Sequence, residues 1–176
     1  NRAREMQNKA SIIKGGLYWH FIGNLQTNKV KYLIDSAEYI HSVESKTLAD
    51  EIDKRASGCG KIQKVLLEFK TSYEESKAGL GNEDEVLEMA EYCSAKKNLS
   101  LEGLMTMAPY TDDEKVIRHC FRKTREMLEK LRTGGYPVKE LSMGMSGDFE
   151  IAIEEGATMI RIGTALFGER IYTKKG

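Results

Sequence analysis

The sequence predicts a parallel α/β fold, and three observations carry that expectation. Six short apolar runs of strand length recur along the chain, at residues 19–23, 38–43, 64–69, 99–107, 139–144 and 158–163. These runs are mostly continuous rather than alternating, the pattern of parallel strands covered on both faces. Between them lie longer stretches of helical period, so strand and helix alternate in series. Two architectures share this signature, a doubly wound open sheet and a (β/α)8 barrel. A barrel takes about 250 residues, or roughly 30 per βα unit. Six units in 176 residues therefore fit a barrel without its first two strands, whereas a six-stranded open sheet fits the length with no part missing. Composition does not separate them.

The elements follow in order. After the runs at 19–23 and 38–43, a helix over about 45–56 buries Leu48, Ala49 and Ile52 and stops at Ser57-Gly58-Cys59-Gly60. The run 64–69 leads into a loop over 70–81, and Asn82 with Glu85 has capping-box spacing ahead of Val86, Leu87, Ala90 and Cys93. The strand expected at 99–107 precedes the clearest helix, 112–132. There Val116, Ile117, Cys120, Phe121, Met127, Leu128 and Leu131 fall on one face of period 3.6. Thr111 with Glu114 repeats the capping box, and Asp112 and Asp113 suit the positive end of that helix. The last two runs each lead into a helix start, at 149–155 and just after Gly163.

Composition narrows the function classes. With 40% hydrophobic and 31% charged residues the chain has material for one globular domain over 1–176. Lys+Arg and Asp+Glu are each 27, so no global field favours a polyanion, and nucleic acid is not expected as a partner. No apolar run approaches the ~20 residues of a membrane span, and no signal-peptide pattern opens the chain. Cys59, Cys93 and Cys120 are odd in number and far apart, which suits a reducing cytoplasm and no disulfide framework. The three histidines have no metal-ligand spacing, so no metal is expected. The chain opens on Asn1 rather than Met, from which we expect a preceding segment to be missing.

The two last strand-to-helix junctions carry the most chemistry. Leu141-Ser142-Met143-Gly144-Met145-Ser146-Gly147-Asp148 runs into one helix, and Met159-Ile160-Arg161-Ile162-Gly163-Thr164 into the other. Each sets a hydroxyl residue beside a glycine at a helix start. Free backbone N–H groups, a hydroxyl donor and no obstructing side chain suit a phosphate. A purely structural reading stands beside this, with Ser146 as an N-cap and Gly163 as a tight turn. Arg161 shares a strand face with Gly163. It either meets a ligand atom or pairs with a core carboxylate such as Glu68 or Glu102. His20 and His41 fall within strands, and the Met-rich stretches read as core filling.

At these motifs the sequence resembles the pyridoxal phosphate homeostasis proteins, whose barrel is similar to the N-terminal domain of alanine racemase. The matching residues include Trp19-His20-Phe21-Ile22-Gly23-Asn24-Leu25-Gln26-Thr27-Asn28-Lys29, Ile40-His41-Ser42-Val43, Glu74-Glu75-Ser76-Lys77, Leu101-Glu102-Gly103-Leu104-Met105-Thr106-Met107, and the two junctions. The resemblance favours the (β/α)8 TIM-type barrel, alanine racemase N-terminal-like, here without its first two strands. It implies pyridoxal 5'-phosphate as cofactor, with the phosphate held by Ser146 and the Gly163-Thr164 turn. Arg161 would face the pyridine nitrogen and keep it unprotonated, weakening the ring as an electron sink. Asn1 matches the asparagine of a Gly-Glu-Asn motif near the cofactor, and Met143 would line the pocket beside the ring.

The family's covalent lysine lies on the first strand, in a Val-Ser-Lys-Thr-like motif that nothing in this chain matches. Lys70 ends a strand but is not that lysine. The resemblance implies a cytoplasmic, monomeric carrier of the cofactor, with no dedicated catalysis and with apo pyridoxal-phosphate enzymes as recipients. A racemase-like enzyme and a phosphate-binding barrel for another ligand are the alternatives.

Overall fold

The computed structural model describes residues 2–13, 15–71 and 79–168. Helix α1, Ala3–Ile12, precedes the short strand β1, Trp19–Phe21, and a single 3-10 helix over Thr27–Tyr32 leads to β2, Ala37–Val43. Then come α2 (Lys46–Gly58), β3 (Gln63–Glu68), α3 (Glu83–Ser94), β4 (Leu99–Met105), α4 (Glu114–Thr133), β5 (Glu140–Met145), α5 (Phe149–Glu154), β6 (Met159–Arg161) and α6 (Thr164–Phe167). Each expected strand is present, shifted at its ends by one or two residues. Ser45 caps α2, its hydroxyl accepting from Leu48 N, and Asn82 caps α3, accepting from Glu85 N at 2.9 Å, while the Glu85 carboxylate reaches back to Gly81 N at 2.7 Å rather than to Asn82 N as a capping box would.

All six strands are parallel and lie in the order β1-β2-β3-β4-β5-β6. That order removes the doubly wound alternative, which requires a reversal at a switch point. Right-handed crossovers between sequential neighbours carry the helices to one side of the sheet. The packing agrees. The large core cluster joins residues of α1 to α5 with one face of the strands, among them Val65, Leu67, Leu104, Leu141 and Met143. The opposite face holds a small cluster from strands alone, Tyr39, Leu66 and Met105, with Met107 and Met159 packed against it. The outcome is a six-stranded parallel half-barrel with an outer helical layer and an inner face free of helices among the described residues.

Two expectations about α4 need correction. The helix starts at Glu114 because Asp113 takes the cap, accepting from Lys115 N at 2.9 Å, while Thr111 accepts from Asp113 N at 3.2 Å. The hydroxyl caps the cap. Val116 is 41% exposed, because the buried stripe runs through Ile117, Cys120, Phe121, Thr124, Met127, Leu128 and Leu131.

A charged clamp fixes α4 to the end of α5. The Glu155 carboxylate is 4% exposed and meets Arg118 Nη1 at 3.2 Å, Arg122 Nη2 at 3.1 Å and Arg125 Nη1 at 3.0 Å. Burial pushes this carboxyl's pKa up, but the Arg122 and Arg118 hydrogen bonds pull it below its ordinary value. Glu155→Gln would leave three guanidiniums sharing a neutral amide. The partly exposed arginines moderate the effect, so we expect a loss of about 1–3 kcal/mol in urea unfolding, against under about 0.5 kcal/mol for exposed Glu154→Gln.

Candidate functional site

The carboxyl ends of β5 and β6 build one structure. At the end of β5 the chain turns through Gly144, whose φ of +90° no L side chain adopts comfortably and whose added Cβ would sit 2.6 Å from the Ala152 Cβ. Glycine here lets α5 fold back against the strand. The following turn is closed by Asp148, which accepts from Met145 N at 2.5 Å, and this sets Ser146 beside β6. Ser146 Oγ accepts from Gly163 N and from Ala165 N, both at 3.2 Å. Two backbone N–H groups thus converge on one oxygen position, leaving the Ser146 O–H to donate outward. Over Gly163 and Gly147 an added Cβ would meet nothing within 4 Å, so the space above the turn is open. With those two N–H groups spent on Ser146 Oγ, the Ser146 O–H is the donor left for an oxyanion in that space. Thr164, the first residue of α6, is exposed at its rim.

Arg161, the last residue of β6, shares the inner face with Met159. Its Nη1 donates to Ser142 O at 2.7 Å and to Ser142 Oγ at 2.9 Å, and its Nη2 to Thr106 O at 2.8 Å. Neither carboxylate considered for it, Glu68 nor Glu102, is within ion-pair distance; backbone carbonyls hold the guanidinium instead. Burial pulls its pKa down, with Asp148 and Glu68 pulling the other way, and the group stays a cation at neutral pH. Thr106 is itself pinned, donating to Phe69 O at 2.8 Å and meeting Thr71 Oγ1 at 2.9 Å.

Behind Arg161 runs a relay that no sequence motif announces. Ser142 Oγ is 2.9 Å from His41 Nδ1, and His41 Nε2 is 3.0 Å from His20 Nδ1. His20 stacks on Tyr39 with ring centroids 4.8 Å apart and forms the solvent end. Since Ser142 Oγ already accepts from Arg161, its proton is free for His41 Nδ1, and His41 Nε2–H then donates to His20. Burial, the charge of His20 and that of Arg161 hold the His41 pKa down at about 3. On the same face the Glu68 carboxyl, 6% exposed, is pushed up to about 7 by burial and by Glu44, against the pull of Arg161. The usable signal in the sequence is period two: Tyr39 and His41, then Met159 and Arg161, alternate onto one face.

The same alternation corrects Met143. It is fully buried in the helix-side cluster, on the face of β5 opposite Ser142, so its side chain does not line the inner face. Asn1 and the segment Glu74-Glu75-Ser76-Lys77 lie outside the described residues. Lys70 follows β3, with its N–H donating to Leu80 O at 2.9 Å. Among the described residues no helix is long and apolar enough to cross a membrane, and no three His, Cys, Asp or Glu residues are grouped to hold a metal ion.

Comparison with known proteins bears on this arrangement. A family model described as the alanine racemase N-terminal domain matches residues 9–171. The chain is 49% identical over 174 residues to a pyridoxal phosphate homeostasis protein of Aquifex aeolicus, covering 98% of this chain and 76% of that one. A protein of the same name from Vibrio alginolyticus is 40% identical, with 88% of this chain and 66% of that one covered. Among solved structures, PipY of Synechococcus elongatus with pyridoxal phosphate bound superposes with a TM-score of 0.84 at 32% identity, over 96% of this chain and 79% of PipY. An alanine racemase of Clostridium difficile, at 19% identity and a TM-score of 0.80, shares the fold over 96% of this chain and 44% of its own.

Proposed function

The chain belongs to the pyridoxal phosphate homeostasis protein family, within the alanine racemase N-terminal-domain family, and from that membership we propose that it binds pyridoxal 5'-phosphate and buffers it. The observation that carries this reading is the convergence of Gly163 N and Ala165 N on Ser146 Oγ, just past the end of the strand that carries Arg161. Ser146, Gly163 and Thr164 would hold the phosphate, and Arg161 the pyridine nitrogen. When bound, the cofactor supplies an aldehyde and an electron-accepting ring. Arg161 is a fixed donor and a permanent cation, so it leaves that nitrogen without a proton and the ring a poor electron sink. That arrangement favours carriage over amino-acid chemistry. We read the six strands as the last six of a racemase-type (β/α)8 barrel, and residues 1–176 as one domain of it. We further propose that the protein works as a cytoplasmic monomer that hands the cofactor to apo-enzymes.

The test is equilibrium titration of the full chain with pyridoxal phosphate, followed by borohydride reduction and peptide mapping. We expect saturable, reversible binding that Ser146→Ala weakens about tenfold, the worth of one charge-assisted hydrogen bond. No lysine should be labelled stoichiometrically, since none matches the family's covalent one. Absence of saturable binding would overturn the reading. Stoichiometric labelling of Lys70 would move the site to the end of β3.

A further inference from the structure

At the opposite edge of the same rim, where β1 ends, the surface opens into a cavity of about 470 Å³. That is room for a small ligand. Three of its wall residues are cations, Arg2, Arg4 and Lys29, and two more are carboxamides, Asn24 and Gln26; among the described residues no carboxylate lines it. Buried Phe21 and Leu25 form an apolar part of the wall. Two of the three, Arg4 and Lys29, are placed against Tyr32. The Arg4 guanidinium lies 4.9 Å from the Tyr32 ring centroid and donates to its hydroxyl at 3.0 Å, and Lys29 and Lys31 approach the same ring at 5.8 and 5.2 Å. Among the described residues none of these four cations forms an ion pair. The Arg4 hydrogen bond lowers the Tyr32 phenol pKa against the opposing effect of burial, and the charges of Arg4, Lys31 and Lys29 add lesser contributions in the same direction as the hydrogen bond.

We infer that this cavity is a second ligand site, separate from the Ser146–Gly163 turn, and that it takes a small phosphate monoester with a flat apolar body. The chemistry sets the class. A phosphate monoester carries close to two negative charges at neutral pH, and Arg guanidiniums match its oxygens in pairs. Three solvent-accessible cations on one wall attract a dianion, and an apolar ligand body would cover Phe21 and Leu25. The carboxamides supply neutral donors at the margin. This inference does not rest on the cofactor reading above, because the two sites share no residue.

Amide spectra of the full chain, titrated with phenyl phosphate and separately with inorganic phosphate, test it. Phenyl phosphate should give saturable shifts at residues 2–4 and 24–29, with an affinity apart from any response at residues 145–147 and 163–165. Arg2→Gln with Lys29→Gln should weaken it about a hundredfold, tenfold for each charge-assisted hydrogen bond removed, while leaving the turn's response unchanged. Both side chains are at the surface, and unchanged spectral dispersion will show that the fold persists. Arg2→Lys with wild-type Lys29 should restore most of the binding. Three results would each overturn the inference: no saturable shift at 24–29, an affinity indifferent to the double substitution, or inorganic phosphate binding as tightly as phenyl phosphate.

Discussion

Replacing Gly103 with alanine is expected to cost about 3 kcal/mol or more, at or beyond the upper end of what overpacking usually does. The reason is a clash with backbone, which cannot rotate away. Gly103 sits in β4 opposite Glu140 of β5, and a Cβ built on it would lie 1.9 Å from the Glu140 carbonyl oxygen, 2.7 Å from its carbon and 2.8 Å from its nitrogen. The register of β4 against β3 also slips here, two β4 positions advancing for one between Val65 and Leu66. An alanine fits only if β4 and β5 separate. Because β5 carries Ser142 and delivers Ser146, such a separation would dismantle the relay and the Ser146–Gly163 turn together. Thermal melting should show a midpoint lowered by about 10 °C. Gly147→Ala is the control, since its Cβ meets nothing within 4 Å. A Gly103→Ala protein as stable as the wild type would mean that the two strands are less closely paired than this geometry requires.

The strands are legible in the sequence because apolar runs bounded by turn residues survive tertiary context, and each of the six appears within two residues of its expected place. Their order is not legible. Whether successive crossovers keep adding on one side or reverse depends on which strand edges remain open, and apolar composition is the same in both cases. That Ser146 and Gly163 meet in one turn can be anticipated because both are small and sit at strand ends, where local chemistry is informative. The relay cannot be assembled from local sequence, since His20, His41 and Ser142 come from three strands and Ser142 lies 101 residues from His41. Reading the strands as uniformly apolar also hides the period-two split that separates Ser142 from Met143. For Arg161 the sequence offers a ligand or a carboxylate as partner, because no sequence pattern announces backbone carbonyls such as Thr106 O as its anchors.

The relay makes its own prediction, read in stability against pH. His41 is 2% exposed and neutral in the fold, with a pKa held down at about 3 against an ordinary 6.5. A depressed pKa means that the unfolded chain binds the proton first. Its contribution is therefore complete above pH 6.5 and is lost as pH falls toward 3. Over that window the loss amounts to about 4 kcal/mol. Glu68 works in the other sense. Its carboxyl is raised from 4.5 to about 7, so its contribution is complete below pH 4.5 and is lost as pH rises through 7. Between pH 4.5 and 6.5 the two slopes oppose each other, and their joint contribution to the stability of the wild-type protein should be nearly flat there. Each single substitution exposes the other group. His41→Gln should make urea stability fall with rising pH across that window by about 2–3 kcal/mol relative to wild type, and Glu68→Gln should make it rise by a similar amount. The surface carboxylates titrate alike in all three proteins, so the differences isolate these two groups. Protonation of His41 would also place a second cation beside Arg161 and turn an N–H toward Ser142 Oγ, which already accepts from Arg161. The acid limb of the wild type should therefore coincide with weakened binding at the Ser146–Gly163 turn. Parallel pH profiles for wild type and His41→Gln would show that His41 titrates normally and that the relay does not hold it neutral.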